Sequence, residues 1–147
     1  MDERQLVELG QRLEEAFNTA DWESYAAPLT GATIYESPRV NARGPEEIIQ
    51  FVKGVRETFP DMRATATNVL VSGNTLVREL TWEGTHGGPL RTPQGTIPPT
   101  NRRVRFKGVV LLEASDDGRV LAVREYYDRA VVMAQMGIGA PAPAPTA

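Results

Sequence analysis

The chain has 147 residues, of which 41% are apolar and 24% charged, with a net charge of −3. These values fit one soluble globular domain large enough for a hydrophobic core. The absence of cysteine excludes disulfides, a thiol nucleophile and a thiolate metal site, and a lone histidine, His86, excludes a histidine-rich one, so no metal is expected. There is no basic patch with interleaved aromatics to suggest nucleic acid, and no apolar run approaches the ~18 residues of a spanning helix. Met1-Asp2-Glu3-Arg4 lacks the basic-then-apolar order of a signal peptide, so the expected location is cytoplasmic, with no membrane partner.

Leu6, Leu9, Leu13, Ala16 and Phe17 recur at helical spacing with Glu8, Gln11, Arg12, Glu14 and Glu15 between them, which predicts an amphipathic helix. Asp21 is placed to cap a second, short helix through Trp22, Tyr25 and Ala26, which Pro28 ends. Thr33–Glu36 reads as a short strand and Ser37–Arg43 as an irregular connection. Gly44-Pro45-Glu46-Glu47 is a strong helix start, with proline in the first turn and two acids facing the positive end of the dipole. Ile48, Phe51, Val52, Val55 and Phe59 form the buried stripe of that helix, and Pro60-Asp61 stops it.

From Met62 the period becomes that of strands. Met62–Val71, Thr75–His86, Val104–Ala114 and Val120–Tyr127 are expected strands, with Ser72-Gly73-Asn74 and Asp116-Asp117-Gly118 as turns. Between the second and third lies a sixteen-residue break, Gly87–Arg102, holding four prolines and three glycines, the composition of a lid or an insertion. A closing helix is expected over Ala130–Met136. Residues 1–138 are expected to form the domain and 139–147, rich in alanine and proline, a disordered tail. Helices gathered early and antiparallel strands gathered late predict an α+β architecture.

Side chains of equal parity on a strand share a face. Ala122, Arg124, Tyr126 and Asp128 fall together, as do Leu76, Arg78, Leu80, Trp82 and His86. If both sets face one cup, it holds a carboxylate, an imidazole, a phenol and an indole, a composition suited to a planar hydrophobic ligand. A carboxylate there would have its pKa raised and could trade protons with a carbon next to a carbonyl. Arg78 and Arg124 also fall on these faces, so either they pair with acids inside or one face is partly the outer one. Asp128 also stands where it can cap the closing helix. His86 is equally well placed as a turn residue, and Trp82 and Tyr126 as core or dimer-interface aromatics.

Glu125-Tyr126-Tyr127-Asp128 followed by an apolar helix ending Gln135-Met136-Gly137 resembles the C-terminal signature of the SnoaL-like polyketide cyclases, a branch of the NTF2-like superfamily. Gly84-Thr85-His86 and the re-entrant Asn101-Arg102-Arg103-Val104-Arg105-Phe106 resemble further segments of that family. The resemblance implies an NTF2-like (cystatin-like) cone: a curved antiparallel sheet wrapped around helices, in the order ααβαββββ. It also implies a cofactor-free intramolecular aldol closure of a polyketide-like ring, with Asp128 as acid/base and His86 as a second catalytic candidate. Tyr35, Phe51, Trp82, Phe106 and Tyr126 are the candidates for substrate contact, the partner is a hydrophobic small molecule, and a homodimer is expected. Tyr35 stands where many relatives have a histidine. Two other readings compete. One is a ketosteroid-isomerase-like enzyme using a carboxylate with Tyr35 or Tyr126 as oxyanion donor. The other is a non-catalytic dimeric binding module, which an Asp128 directed to solvent would favour.

Overall fold

The computed structural model, described over residues 1–139, sets its helices against the concave face of a curved six-stranded sheet. Helix α1 (Glu3–Thr19) starts at a reciprocal cap. The Asp2 carboxylate accepts from the Gln5 backbone N–H at 2.7 Å, and the Gln5 side chain accepts from the Asp2 N–H at 3.0 Å. Its apolar stripe buries Leu6, Leu9, Leu13 and Ala16. Asp21 caps α2 (Trp22–Ala26) by accepting from Ser24 N–H at 3.1 Å. Helix α3 (Gly44–Thr58) has Pro45 in its first turn, with Glu46 and Glu47 at its positive end and Arg56 in its last turn.

Strands β1 (Leu29–Glu36) and β2 (Asn41–Arg43) precede α3. Strands β3 (Arg63–Ser72), β4 (Thr75–Thr85), β5 (Leu90–Thr92), β6 (Gly95–Ile97), β7 (Arg103–Ala114) and β8 (Val120–Tyr127) follow it, and α4 (Arg129–Gln135) closes the chain. The main sheet runs β2-β1-β8-β7-β4-β3, and β5 pairs with β6 apart from it. Neighbouring strands are antiparallel except β1 and β8, whose parallel register sets Tyr35 beside Val123 and Glu36 beside Arg124. This pairing joins the first strand of the chain to the last. It is latched where the Thr33 hydroxyl donates to the Val120 carbonyl at 2.6 Å.

The α+β architecture is as expected, with three differences. Residues 37–43, expected to be irregular, end in β2, which pairs with β1. The break at 87–102 contains the β5–β6 hairpin and is fastened to α3. Gly88 N–H donates to the Thr58 carbonyl at 3.0 Å, and the Thr58 hydroxyl donates to the Pro89 carbonyl at 2.9 Å. Strand β1 begins at Leu29, earlier than Thr33. The tail expected over 139–147 lies, from residue 140 onward, outside the described residues. Among the described residues no helix is long and apolar enough to cross a membrane.

Register assembles the concave face row by row. Leu76 pairs with Leu112 and Leu112 with Val123; Arg78 pairs with Val110 and Val110 with Glu125; Leu80 pairs with Gly108 and Gly108 with Tyr127; Trp82 pairs with Phe106. Gly108 makes room in the third row. A methyl group there would stand 2.5 Å from the Tyr126 carbonyl oxygen and 2.8 Å from the Trp82 ring. That space lets Trp82 stack on Phe106 at 5.2 Å and Tyr127 lean against both rings. Gly108→Ala is therefore expected to cost about 1–3 kcal/mol in urea denaturation and to weaken the near-UV circular dichroism of this aromatic wall. Unchanged stability and spectrum would show that the contact is relieved without cost.

Candidate active site

The concave face and α1, α3 and α4 enclose a hollow of about 1110 Å³, its open mouth included. Its walls are mainly apolar: Phe51, Trp82, Phe106, Leu112, Val132 and Met136 line it. The polar groups that break this lining are the Tyr25, Tyr35 and Tyr127 phenols, Glu14 and Glu125, and Arg39, Arg78 and Arg129. A greasy cavity with a few convergent polar groups is the usual form of a small-molecule site.

Glu125 is the carboxylate that β8 contributes. It follows Val123 by two positions, on the same face, and stands two strands from Arg78 in the Arg78–Val110–Glu125 row. Burial pushes its pKa up to about 7, because a carboxylate loses hydration in the hollow. The nearby Tyr35 phenol and the positive charge of Arg78 act in the opposite direction and moderate the rise. The Tyr35 phenol is buried and its pKa lies well above the ordinary tyrosine value, through burial first and then the nearby Glu125 charge. Tyr35 therefore stays protonated and can donate. Its ring packs 5.5 Å from that of Phe51. Tyr127, by burial and then Glu125, is pushed up to about 12.

Arg78 reaches the same face from β4. Burial lowers its pKa and Glu14 restores part of the loss. It lies 3.7 Å from the Glu14 carboxylate and donates to the Gly10 carbonyl at 3.0 Å. Glu14 is held in turn by the Ala66 N–H, at 2.9 Å. Gly10 is required here, since a Cβ would overlap Leu76 and crowd the Arg78 stem at 3.4 Å. The buried cation thus has an acid and a carbonyl of its own, and the Glu125 carboxyl is a further, unbridged neighbour.

The expected placement of Asp128 in the cavity is corrected. The side chain is exposed and caps α4, accepting from Ala130 N–H at 2.9 Å, beside Arg105, Lys107 and Val131 on the outer surface. In the second half of β8 the even positions Arg124 and Tyr126 face outward. Arg124 there pairs with Glu36 at 3.4 Å and Glu113 at 3.2 Å, and Tyr126 is 58% exposed. On β4 the supposed face is the inner one, so the two parity sets lie on opposite sides of the sheet. His86 lies just past the end of β4, buried outside the hollow. Its Nδ1 sits 2.9 Å from the Thr100 hydroxyl and accepts from Thr100 N–H at 3.3 Å, while its ring packs 5.8 Å from Phe59. Burial lowers its pKa. It ties the end of the 87–102 segment to β4. Tyr35, Phe51, Trp82 and Phe106 meet around the one cavity; Tyr126, Asp128 and His86 lie outside it. The sequence reading missed Glu125, and an available signal was Arg78, a cation on an otherwise apolar face that calls for acids opposite.

Comparison with known proteins agrees with this architecture. The family described as SnoaL-like polyketide cyclase matches residues 7–136. No curated protein matches the sequence. Among solved structures, a protein of Jannaschia sp. CCS1 assigned as a SnoaL-like polyketide cyclase is 25% identical, with a TM-score of 0.82 over 94% of this chain and 95% of that one. IdmH of Streptomyces antibioticus, assigned as a polyketide cyclase, is 23% identical, with a TM-score of 0.75 over 91% and 99%. A Catenulispora acidiphila protein with a ketosteroid isomerase-like fold is 16% identical, with a TM-score of 0.75 over 90% and 94%. At these last two identities the likeness is one of fold.

The Glu125 carboxyl has a consequence for stability. Its pKa is higher folded, about 7, than its ordinary value of 4.5, so the folded state holds this proton more tightly than the unfolded one. This contribution is therefore fully present below about pH 4.5 and is lost as pH rises through about 7, on the order of 3 kcal/mol in all. Glu125→Gln is expected to flatten that part of the profile in urea melts between about pH 5 and about pH 8. An equal slope in both proteins would place the carboxyl in water.

Proposed function

The chain belongs to the SnoaL-like polyketide cyclase family, and from that premise we propose that it is a cofactor-free acid/base enzyme acting on a hydrophobic, enolisable carbonyl compound, with Glu125 as the proton-transferring group. The observation that carries this reading is a carboxyl set beside a buried phenol in an apolar hollow, where burial pushes its pKa up to about 7. A general base works best when its pKa lies near the working pH, because it is then available in both protonation states. Ionised Glu125 takes the proton from the carbon adjacent to the carbonyl. Tyr35 donates a hydrogen bond to the enolate oxygen, where the negative charge collects. In ring closure the enolate carbon attacks a second carbonyl of the same molecule, a carbon–carbon bond forms, and the new alkoxide receives the proton from Glu125. Every proton removed is returned, and no oxidant or reductant is needed. Trp82 and Phe106, stacked on each other with Tyr127 tilted against both, supply the aromatic wall against which a planar ring system would lie.

The same phenol–carboxyl pair supports a second reading, a double-bond isomerase, in which the proton goes back to a different carbon. Both chemistries begin with the same abstraction. A solvent-exposed Asp128 would favour a non-catalytic binder if the cavity held no other carboxylate; Glu125 supplies one.

The expected outcome is that Glu125→Gln slows solvent-deuterium exchange into the α-carbon of an aryl diketone by about 10²–10⁴-fold, read by proton NMR. Asp128→Asn is expected to leave exchange unchanged. Asp128→Ala loses the cap and about 0.5–2 kcal/mol of stability. Exchange that survives in Glu125→Gln and disappears in Asp128→Asn would reverse the assignment.

We also place a homodimer on the outer face of the sheet, where Leu70 and Tyr126 are each 58% exposed. Light scattering is expected to give twice the chain mass, and Tyr126→Asp to shift it towards the monomer. A monomeric wild-type protein would remove the dimer.

A further inference from the structure

The charges that line the cavity do not balance. Two acids and three arginines line the hollow, against a chain that is net negative overall. Glu14 is engaged by Arg78, and Glu125 lies deeper, near Tyr35. Arg39 and Arg129 remain, and neither makes an ion pair among the described residues.

Arg39 leaves the end of β1 in a turn that fixes its backbone. Its N–H and that of Val40 donate to the Ser37 hydroxyl at 3.1 and 3.2 Å, and Ser37 N–H donates to the Val40 carbonyl at 2.9 Å. The guanidinium stands 5.8 Å over the Phe51 ring, a face-on contact that holds a planar cation without neutralising it. Arg129 lies in the first turn of α4, a position where a cation opposes the helix dipole; the neighbouring Asp128 carboxylate is spent on capping Ala130 N–H and makes no ion pair with it. Both arginines act electrostatically on Tyr127, and Arg129 acts on Arg39. Two like charges lining one cavity, one of them partly desolvated, are costly unless an anion joins them.

We propose that Arg39 and Arg129 form a clamp for a carboxylate carried by the substrate, so that the enzyme takes a hydrophobic carbonyl compound with an acid group at one end. Bidentate guanidinium–carboxylate geometry suits the pair. The acid end stays with the two arginines, and the aromatic body extends past Tyr127 towards Glu125. The clamp rests on the function proposed above for where the rest of the substrate lies, and orients the molecule so that its enolisable carbon reaches the carboxyl.

The test compares naphthalene carboxylate with its neutral carboxamide, each titrated by calorimetry at about pH 6, where the acid probe is ionised. The wild-type protein is expected to bind the carboxylate about tenfold more tightly than the amide. Arg39→Met, which keeps the stem over Phe51, and Arg129→Gln are each expected to reduce that preference, and the double variant to abolish it with the amide affinity unchanged. Should Arg39→Met fail to fold, Arg129→Gln alone reads the same loss. Equal affinity for the two probes, or a preference that persists in the double variant, overturns the clamp and leaves the Glu125 chemistry standing. A carboxylate preference in a protein that shows no α-carbon exchange overturns that chemistry and leaves the clamp. Failure of both probes to bind overturns the clamp, while the exchange measurement judges the Glu125 chemistry separately.

Discussion

The withdrawal of one carboxyl group from water organises the site. Glu125 sits on a strand that pairs on both sides, so its position follows from ladder register and not from a loop. Its neighbours divide into two kinds. Apolar rings and aliphatic side chains remove hydration and raise its proton affinity, while Tyr35 and Arg78 restore part of what water would have provided. The outcome lies near neutrality, where the group can both take and return a proton. Fuller burial without those partners would leave a permanently neutral acid, and full ion pairing would leave a permanently ionised one.

The Arg78–Glu14 contact makes that balance possible. A buried guanidinium facing Glu125 alone would pair with it and hold it ionised. Here Arg78 also faces Glu14 at 3.7 Å and the Gly10 carbonyl at 3.0 Å, and Glu14 is fixed by Ala66. Buried pairs of this kind add little net stability, because desolvation offsets most of the attraction. Their effect here is on charge placement: the cation is kept on the floor of the cavity with its own acid. Helix α1 supplies both Gly10 and Glu14, so the first helix of the chain helps to set the proton affinity of a group on its last strand.

Much of the fold was legible in the sequence. Gly44-Pro45-Glu46-Glu47 announces α3 because proline and acids suit only the start of a helix, and the long alternations of β4 and β7 need no tertiary information. The face of β8 was not legible. Its residues 123–127 read Val-Arg-Glu-Tyr-Tyr, so a one-residue change of face exchanges Arg124 and Tyr126 for Glu125 and Tyr127. Each alternative offers one charge and one aromatic, so hydrophobic pattern cannot choose between them. The choice is made by partners remote in sequence: Glu36 and Glu113 hold Arg124 outside, and Tyr35 meets Glu125 inside. The three-residue strands β2, β5 and β6 are too short to show a period, and the parallel β1–β8 pairing joins opposite ends of the chain. The SnoaL-like resemblance identified the family correctly, while Asp128, the residue aligned as acid/base by its distance from Gly137, is turned to solvent as a helix cap.

The most direct measurement is the titration of the Glu125 side chain itself, followed by carbon-13 NMR of glutamate-labelled protein and assigned by the resonance missing from Glu125→Gln. A midpoint of about 7 is expected from its burial beside Tyr35 and Arg78. A midpoint in the ordinary glutamate range, about 4.3, would mean that water reaches the carboxyl freely, and would contradict the account of this cavity as a place where a proton is held and exchanged at neutral pH.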